Sequence, residues 1–210
     1  MRPPGLTSLL AAHLRRRALA YLVSAALLAL GLSTGILASG ALDAGARGEL
    51  SRSLAGLLAT DAARLPAGEI IRHALVSGVV GCGLAMWALG LSIIGLPIVA
   101  ALLFLHGFAY GFSLSFLIAA FDGRELAGAL AALLPQMLLG VPAILLCATG
   151  ALSFAVTAGR RLLGANDPPH VLGAFAQTGA MIACGSGLFL LAGLVEAYIG
   201  PTLGHWLRAF

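Results

Sequence analysis

The chain has 210 residues, of which 60% are hydrophobic and 10% are charged, and its formal net charge is +4. Soluble domains have about 25% charged residues, so the composition excludes an ordinary soluble enzyme and predicts an all-helical, polytopic membrane protein with five spans. All 12 basic residues are arginines, and because they flank apolar segments we interpret them as orientation signals and expect no nucleic-acid partner.

The first predicted span covers residues 18–39, after a cytoplasmic N-terminal stretch, residues 1–17, whose leucines recur at helical spacing. This spacing is typical of a helix that rests on membrane lipids. Arg15, Arg16 and Arg17 lie directly before the span, and the positive-inside rule places that end in the cytoplasm. The apolar run of about 22 residues is longer than a signal-peptide core, so we expect it to be a retained membrane helix.

Residues 41–72 form a polar segment that predicts an external amphipathic helix. Its four arginines and four acids cancel. Its apolar face is formed by leucines at helical spacing, among them Leu50, Leu54, Leu57 and Leu58. The segment is either a solvated connector resting on the bilayer or a docking surface for an extracytoplasmic partner.

The second and third predicted spans are residues 73–94 and 98–121, with Gly95 and Pro97 at the short turn between them. Glycine readily ends a helix, and proline is tolerated in a first turn but not in a helix interior. The turn therefore brings these two spans together as an antiparallel pair.

Two GxxxG patterns predict close helix packing, Gly31 with Gly35 in the first span and Gly107 with Gly111 in the third. The spacing places both glycines of a pair on one helix face, where another backbone can approach. The partner is either another helix of the same chain or a second copy in a homo-oligomer, and the pattern leaves both possibilities open.

The fourth predicted span, residues 126–158, is about 33 residues long, roughly 50 Å as a straight helix. A bilayer core is about 30 Å thick, so we predict that this helix is kinked or broken at Pro135 and Pro142. Gln136 lies between the two prolines, and broken helices bind ions and substrates in transporters. A permease is therefore the alternative function that we consider.

The fifth predicted span covers residues 171–199 and precedes an external tail, residues 200–210. Glu196 is an acid inside an otherwise apolar run near the outer end of this span. It is either an interfacial residue that reaches water or an arginine, or a contact for a partner.

Candidate chemistry is sparse. His106 lies inside the third span, and we interpret it as a neutral imidazole hydrogen-bonded to a neighbouring helix, since the pattern supplies no set of metal ligands around it. The serine of Gly185-Ser186-Gly187 does not fit the nucleophile pattern G-x-S-x-G, which disfavours an intramembrane serine protease. We expect no catalytic residue, metal or cofactor.

Several segments together resemble the stage II sporulation protein M family along nearly the whole chain: WALGLSIIGLPIV, LFLHGFAYGFS, LLPQ, VPA and LVEAYIGP. The resemblance implies a non-enzymatic integral membrane protein that gathers two peptidoglycan-degrading enzymes, stage II sporulation proteins D and P. These partners would bind on the extracytoplasmic side of the septal membrane during engulfment. His106 departs from the family pattern, which often has lysine there, so a role that needs a permanent positive charge is not expected.

Overall fold

The computed structural model describes residues 15, 17–61, 67–92, 95–162 and 171–209, which are helical apart from short turns and contain no strand. Five of the helices are long and apolar enough to cross a membrane. This confirms the predicted all-helical class and the number of spans. The apolar spans are Ala18–Gly40, Ile71–Gly90, Gly95–Ala120, Gln136–Leu162 and Leu172–Val195.

The helices are numbered α1 to α7 in chain order, and a π-helix, π1, interrupts the second span. Their bounds are α1 Ala18–Gly40, α2 Ala44–Asp61, α3 Ala67–His73, π1 Ala74–Leu84, α4 Ala85–Gly90, α5 Gly95–Ala120, α6 Gly123–Leu162 and α7 Val171–Ala209. The second span thus consists of α3, π1 and α4. The other spans lie within α1, α5, α6 and α7.

The predicted break in the fourth helix is wrong, because α6 continues from Gly123 to Leu162 as one α-helix. A proline lacks one amide donor, but membrane helices tolerate this loss where neighbouring groups satisfy the freed carbonyl. The helix has 40 residues, about 60 Å at 1.5 Å per residue, so it is longer than a bilayer core of about 30 Å. In its first part, Ala129 packs with Leu117 and Phe121 near the end of the third span.

Two further elements differ from the sequence-based expectations. Helix α7 runs through the predicted tail as far as Ala209, so residues 200–209 are helical. Helix α2 occupies most of the predicted external segment, but its apolar residues are only weakly concentrated on one side. Arg47 precedes Leu50 by three positions and Leu54 by seven, so helical spacing places a charged residue on the same side as these leucines.

Helix α6 is the central helix of the bundle. In its most apolar window 61% of the residues are buried, against 28–33% in the other four spans. Its small residues Ala143, Cys147, Ala148 and Ala151 are fully buried. Short side chains let neighbouring backbones approach closely, and this is how membrane helices associate without a hydrophobic driving force.

Helices α1 and α5 pack through their glycines. A Cβ atom added to Gly31 or Gly35 would overlap backbone carbonyl oxygens of α5, and one added to Gly107 or Gly111 would overlap carbonyl oxygens of α1. The two GxxxG faces therefore meet each other within one chain. Of the two arrangements that the pattern left open, the structure has the contact inside the fold.

The glycines of the second span pack against two different helices. Gly78 of π1 lies against Phe189 of α7, with 2.9 Å between an added Cβ and the Cβ of Phe189, and Gly83 lies against Ser186. A π-helix bonds residue i to i+5, so glycines five positions apart face the same neighbour. Further along the same span, Gly90 of α4 packs on Ala151 of α6.

Candidate site: a polar cavity between four spans

A cavity of about 250 Å³ lies between the second, third, fourth and fifth spans. Its lining combines small residues with five polar side chains that come from three different spans. These five are His73, Ser77, His106, Tyr110 and Gln136. Polar groups inside a membrane bundle are costly unless they are satisfied, and they commonly mark functional sites.

The cavity begins near one end of the spans and reaches their middle. His73 follows Arg72 at the beginning of the second span, and Gly193 lies three residues before Glu196 near the end of the fifth. His106 and Cys82 lie near the centres of the third and second spans. With about 30 Å for the whole bilayer core, the cavity extends inward by roughly 15 Å from one membrane face.

Small residues leave this space open. Gly78, Gly140 and Gly193 line the cavity, and an added Cβ at Gly140 would lie 2.9 Å from the hydroxyl oxygen of Tyr110. Among the described helices, π1 packs on α7, α3 and α4, and α5 packs on α1, α6 and α4, but π1 and α5 share no extensive interface. The cavity lies where these two elements stand apart.

Both histidines of the cavity use Nδ1 within their own helix. The His106 Nδ1 lies 2.8 Å from the carbonyl oxygen of Leu102. A carbonyl can only accept, so Nδ1 carries the hydrogen and donates it. Ser77 donates to the carbonyl oxygen of His73 at 2.5 Å, and its Oγ lies 3.3 Å from the His73 Nδ1. Since the serine hydrogen is used, His73 Nδ1 is the donor to that Oγ.

The structure corrects the predicted hydrogen bond of His106 and brings two predicted site residues together. His106 bonds its own backbone and not a neighbouring helix, because an imidazole at a helical position reaches the carbonyl four residues earlier. It shares the cavity with Gln136, which lies on a different span. The predicted site residues His106 and Gln136 are therefore brought together, although they are 30 positions apart.

The other predicted positions lie elsewhere. Gly95 begins α5, where an added Cβ would overlap the carbonyl oxygen of Leu89, and Pro97 falls in the first turn of the same helix. Pro135 and Pro142 lie within the continuous α6. Glu196 belongs to the part of α7 that follows the fifth apolar span. The predicted leucine face Leu50, Leu54, Leu57 and Leu58 lies on α2.

Sequence reasoning missed His73, Ser77 and Tyr110 as members of the site. The first two lie at the junction of α3 and π1, at the edge of an apolar run, where a polar residue normally reaches water. The four-residue spacing from His106 to Tyr110, one helical turn, was the available signal. Ser186, considered as a nucleophile, packs against Gly83 in the contact between helices.

The opposite ends of the spans carry an arginine contact and an aromatic cluster. Arg17 donates from Nη2 to the Gln177 Oε1 at 2.9 Å, and its Nη1 lies 3.2 Å from the Met181 sulfur. Burial lowers the pKa of Arg17. The ring of Phe175 lies 5.4 Å from that of Trp87 and 6.1 Å from that of Phe154. These contacts connect α7 to the first, second and fourth spans.

Metal-ligand geometry is not found among the described residues, which contain no group of three or more His, Cys, Asp or Glu able to hold an ion. The described cysteines Cys82, Cys147 and Cys184 are free thiols. What the cavity offers is hydrogen bonding, from imidazole, phenol and amide groups. It is therefore a candidate binding site.

The fold and the cavity together define a class, a polytopic helical membrane protein with a polar cavity that opens towards one face. Within that class the family model of stage II sporulation protein M matches residues 19–201. The chain therefore belongs to the stage II sporulation protein M family. No curated protein and no solved structure shows a significant match to it. Membership makes it a membrane protein of a sporulation family.

Proposed function

We propose that the protein is a non-enzymatic membrane scaffold that recruits and organises peptidoglycan hydrolases, stage II sporulation proteins D and P, at the septal and forespore-engulfing membrane. The observation that carries the proposal is the family match over residues 19–201. A scaffold needs a rigid membrane anchor and a surface outside the membrane. The glycine contacts between α1 and α5 support a rigid membrane anchor, and helix α2 is suited to be the surface outside the membrane.

Helix α2 is fixed at its beginning and open along its length. The Asp43 Oδ1 accepts a hydrogen bond from the backbone amide of Ala46 at 2.9 Å, and Arg47 donates to the carbonyl oxygen of Ser39 at 3.4 Å. The first bond caps the start of α2, and the second connects α2 to the end of α1. Among the described helices α2 forms no extensive interface, so its flanks are available to a partner protein.

Copurification tests the scaffold directly. The full chain is coexpressed with proteins D and P and isolated in detergent, and we expect both enzymes to copurify. The variant Leu50→Asp, on the predicted apolar face of α2, should reduce their recovery, whereas Glu49→Gln, an exposed neighbour, should not. Absence of both enzymes from the purified wild-type protein would overturn the proposal.

The proposed orientation places the N-terminus in the cytoplasm and the C-terminus outside. Five spans put the two ends of the bundle on opposite sides, and the Arg15 to Arg17 cluster favours the cytoplasm for the first. Single cysteines introduced at Ala46 and at Gly159, in a background without native cysteines, report the topology. An impermeant thiol reagent applied to intact cells should label position 46 and spare position 159.

The permease alternative was based on a broken fourth helix, and that helix is continuous. The cavity beside Gln136 nevertheless supplies a polar route to the middle of the spans from one face. Transport would also require a second opening on the other face. Solute flux into proteoliposomes that is lost in Gln136→Leu would favour the permease over the scaffold.

A further inference from the structure

We propose that the cavity between the second, third, fourth and fifth spans binds a small phosphate-type oxyanion, either free or as part of a larger molecule. The anion would be held by hydrogen bonds from His73, His106, Tyr110 and Gln136. This binding activity is separate from the recruitment of peptidoglycan hydrolases, which we place on α2. The two proposals therefore stand or fall independently.

Three polar side chains of the cavity have atoms that bond no other protein group. Within the part of the chain that the structure describes, the His106 Nε2, the Tyr110 hydroxyl and the Gln136 amide form no hydrogen bond to another protein group. The His106 and Tyr110 side chains are half-buried and Gln136 is exposed. Their free polar atoms are therefore accessible to a ligand in the cavity.

The size of the cavity selects a small ligand. Drug-sized ligands occupy pockets of about 300–1,000 Å³, and this cavity measures about 250 Å³. A single water needs about 10–15 Å³ of such cavity volume, so the space is large enough for a phosphate group with some waters or with a short polar substituent. Gly140 keeps it open, since any side chain there would be directed at the Tyr110 hydroxyl, 2.9 Å from a Cβ.

The charge of the lining selects an anion. The titratable residues that line the cavity are His73 and Cys82 from the second span and His106 and Tyr110 from the third, and the lining residues of the fourth and fifth spans carry none. A cation would thus meet no carboxylate among these residues, and an uncompensated charge in a membrane interior is costly. An anion would meet donors on three spans.

The hydrogen bonds of the two histidines fit this assignment. Each already donates through Nδ1, His106 to the Leu102 carbonyl and His73 to the Ser77 hydroxyl. Protonation of Nε2 therefore adds a second donor and a positive charge without disturbing the first bond. Tyr110 and Gln136 supply neutral donors, and a tetrahedral oxyanion accepts several such bonds at once.

Titration of the full-length protein with inorganic phosphate tests the proposal. Calorimetry in an uncharged detergent at about pH 6 should detect saturable binding in the millimolar range. Tyr110→Phe and Gln136→Leu should each weaken binding roughly tenfold or more, as expected for hydrogen bonds to a charged group. Tyr198→Phe, outside the cavity lining, is the matched control and should bind like the wild type.

A second arm distinguishes a lipid phosphate from a soluble one. Thermal stability is compared in nanodiscs of phosphatidylglycerol and of phosphatidylcholine, with the same variants. Stabilisation by the anionic lipid that disappears in Tyr110→Phe and Gln136→Leu would identify a headgroup as the source, and phosphate binding in detergent would identify a soluble anion. No binding in either arm, or equal binding by wild type and both cavity variants, would overturn the proposal.

Discussion

A Cβ atom on Gly31 would overlap the backbone carbonyl oxygen of Phe104, and one on Gly107 would overlap that of Leu28. The contact is reciprocal, since each helix supplies both the glycine and the carbonyl. Backbone atoms cannot rotate aside as a long side chain can, so neither helix has room for even a methyl group. The interface between α1 and α5 therefore tolerates no side chain at these glycine positions.

Gly107→Ala should destabilise the protein, because the added methyl forces α1 and α5 apart. Overpacking of this kind costs about 1–3 kcal/mol, measurable as a lower midpoint in thermal or denaturant unfolding in detergent. Gly179→Ala is the control within a span, since its Cβ would meet nothing within 4 Å. It should be neutral or slightly stabilising. Equal effects of both changes would contradict the proposed packing.

Gly78→Ala should weaken the contact between π1 and α7. The new Cβ would lie 2.9 Å from the Cβ of Phe189, which is held by the backbone of α7. Gly81→Ala, in the same π-helix, has only an ordinary neighbour, the Val76 carbonyl oxygen at 3.4 Å. Unfolding experiments should show a loss of about 1–3 kcal/mol for the first, and the second should stay close to the wild type.

Trp87 should tolerate phenylalanine better than alanine. Its indole Nε1 is buried without a hydrogen-bond partner among the described residues, so Trp87→Phe removes an unsatisfied donor while retaining the ring contact with Phe175. Loss of the unsatisfied donor should stabilise the fold by about 1–3 kcal/mol. Loss of part of the buried ring area should destabilise it by about 1–3 kcal/mol. Trp87→Ala removes the whole ring and should cost about 3–5 kcal/mol. A loss with phenylalanine as large as with alanine would show that the indole nitrogen is satisfied.

Arg17→Ala should release the start of α1 from α7, because the guanidinium contacts both Gln177 and Met181. Hydrogen exchange of the first turns of α1 should become faster, and Arg17→Lys should restore protection only in part, since an ammonium lacks the forked geometry. Burial lowers the pKa of Arg17, which disfavours the charged form in the fold. Arginine nevertheless stays protonated in proteins, so this contact should contribute no pH dependence between about pH 5 and 9.

Ser24 and Thr149 form a buried polar contact between α1 and α6, with 3.4 Å between their hydroxyl oxygens. The length indicates a weak bond. A double-mutant cycle with Ser24→Ala and Thr149→Val should therefore give a coupling energy of about 0.6 kcal/mol, the average for such bonds in a membrane protein. A value near 2 kcal/mol would indicate a wider polar network than the described contacts contain.

Composition and local spacing were enough to predict the spans, because an apolar helix long enough to cross the bilayer is recognisable by itself. They also predicted which glycines pack. They could not predict that Gly31 packs against α5, since helix pairing depends on the whole bundle. The continuous α6 was missed because the sequence does not show whether neighbouring groups satisfy the carbonyls that Pro135 and Pro142 leave free.

The cavity was predicted only in part. His106 and Gln136 stood out as polar residues in apolar runs, but the residues that join them were not recognised. His73 and Ser77 gain their position from π1, and a π-helix has no distinctive residue pattern from which it could be inferred. Tyr110 gains its position from the absence of a side chain at Gly140, on another helix. Both are tertiary effects.

The pairing of α1 with α5 also affects how the protein is made. The glycine face of α1 has its partner not in the next span but in the one after it, roughly 75 residues later, and at about 5–20 residues per second of synthesis this segment emerges some 4–15 s later. During that interval Gly31 and Gly35 face lipid or the insertion machinery. The first span must therefore persist in the bilayer as a single helix before the bundle can assemble around it.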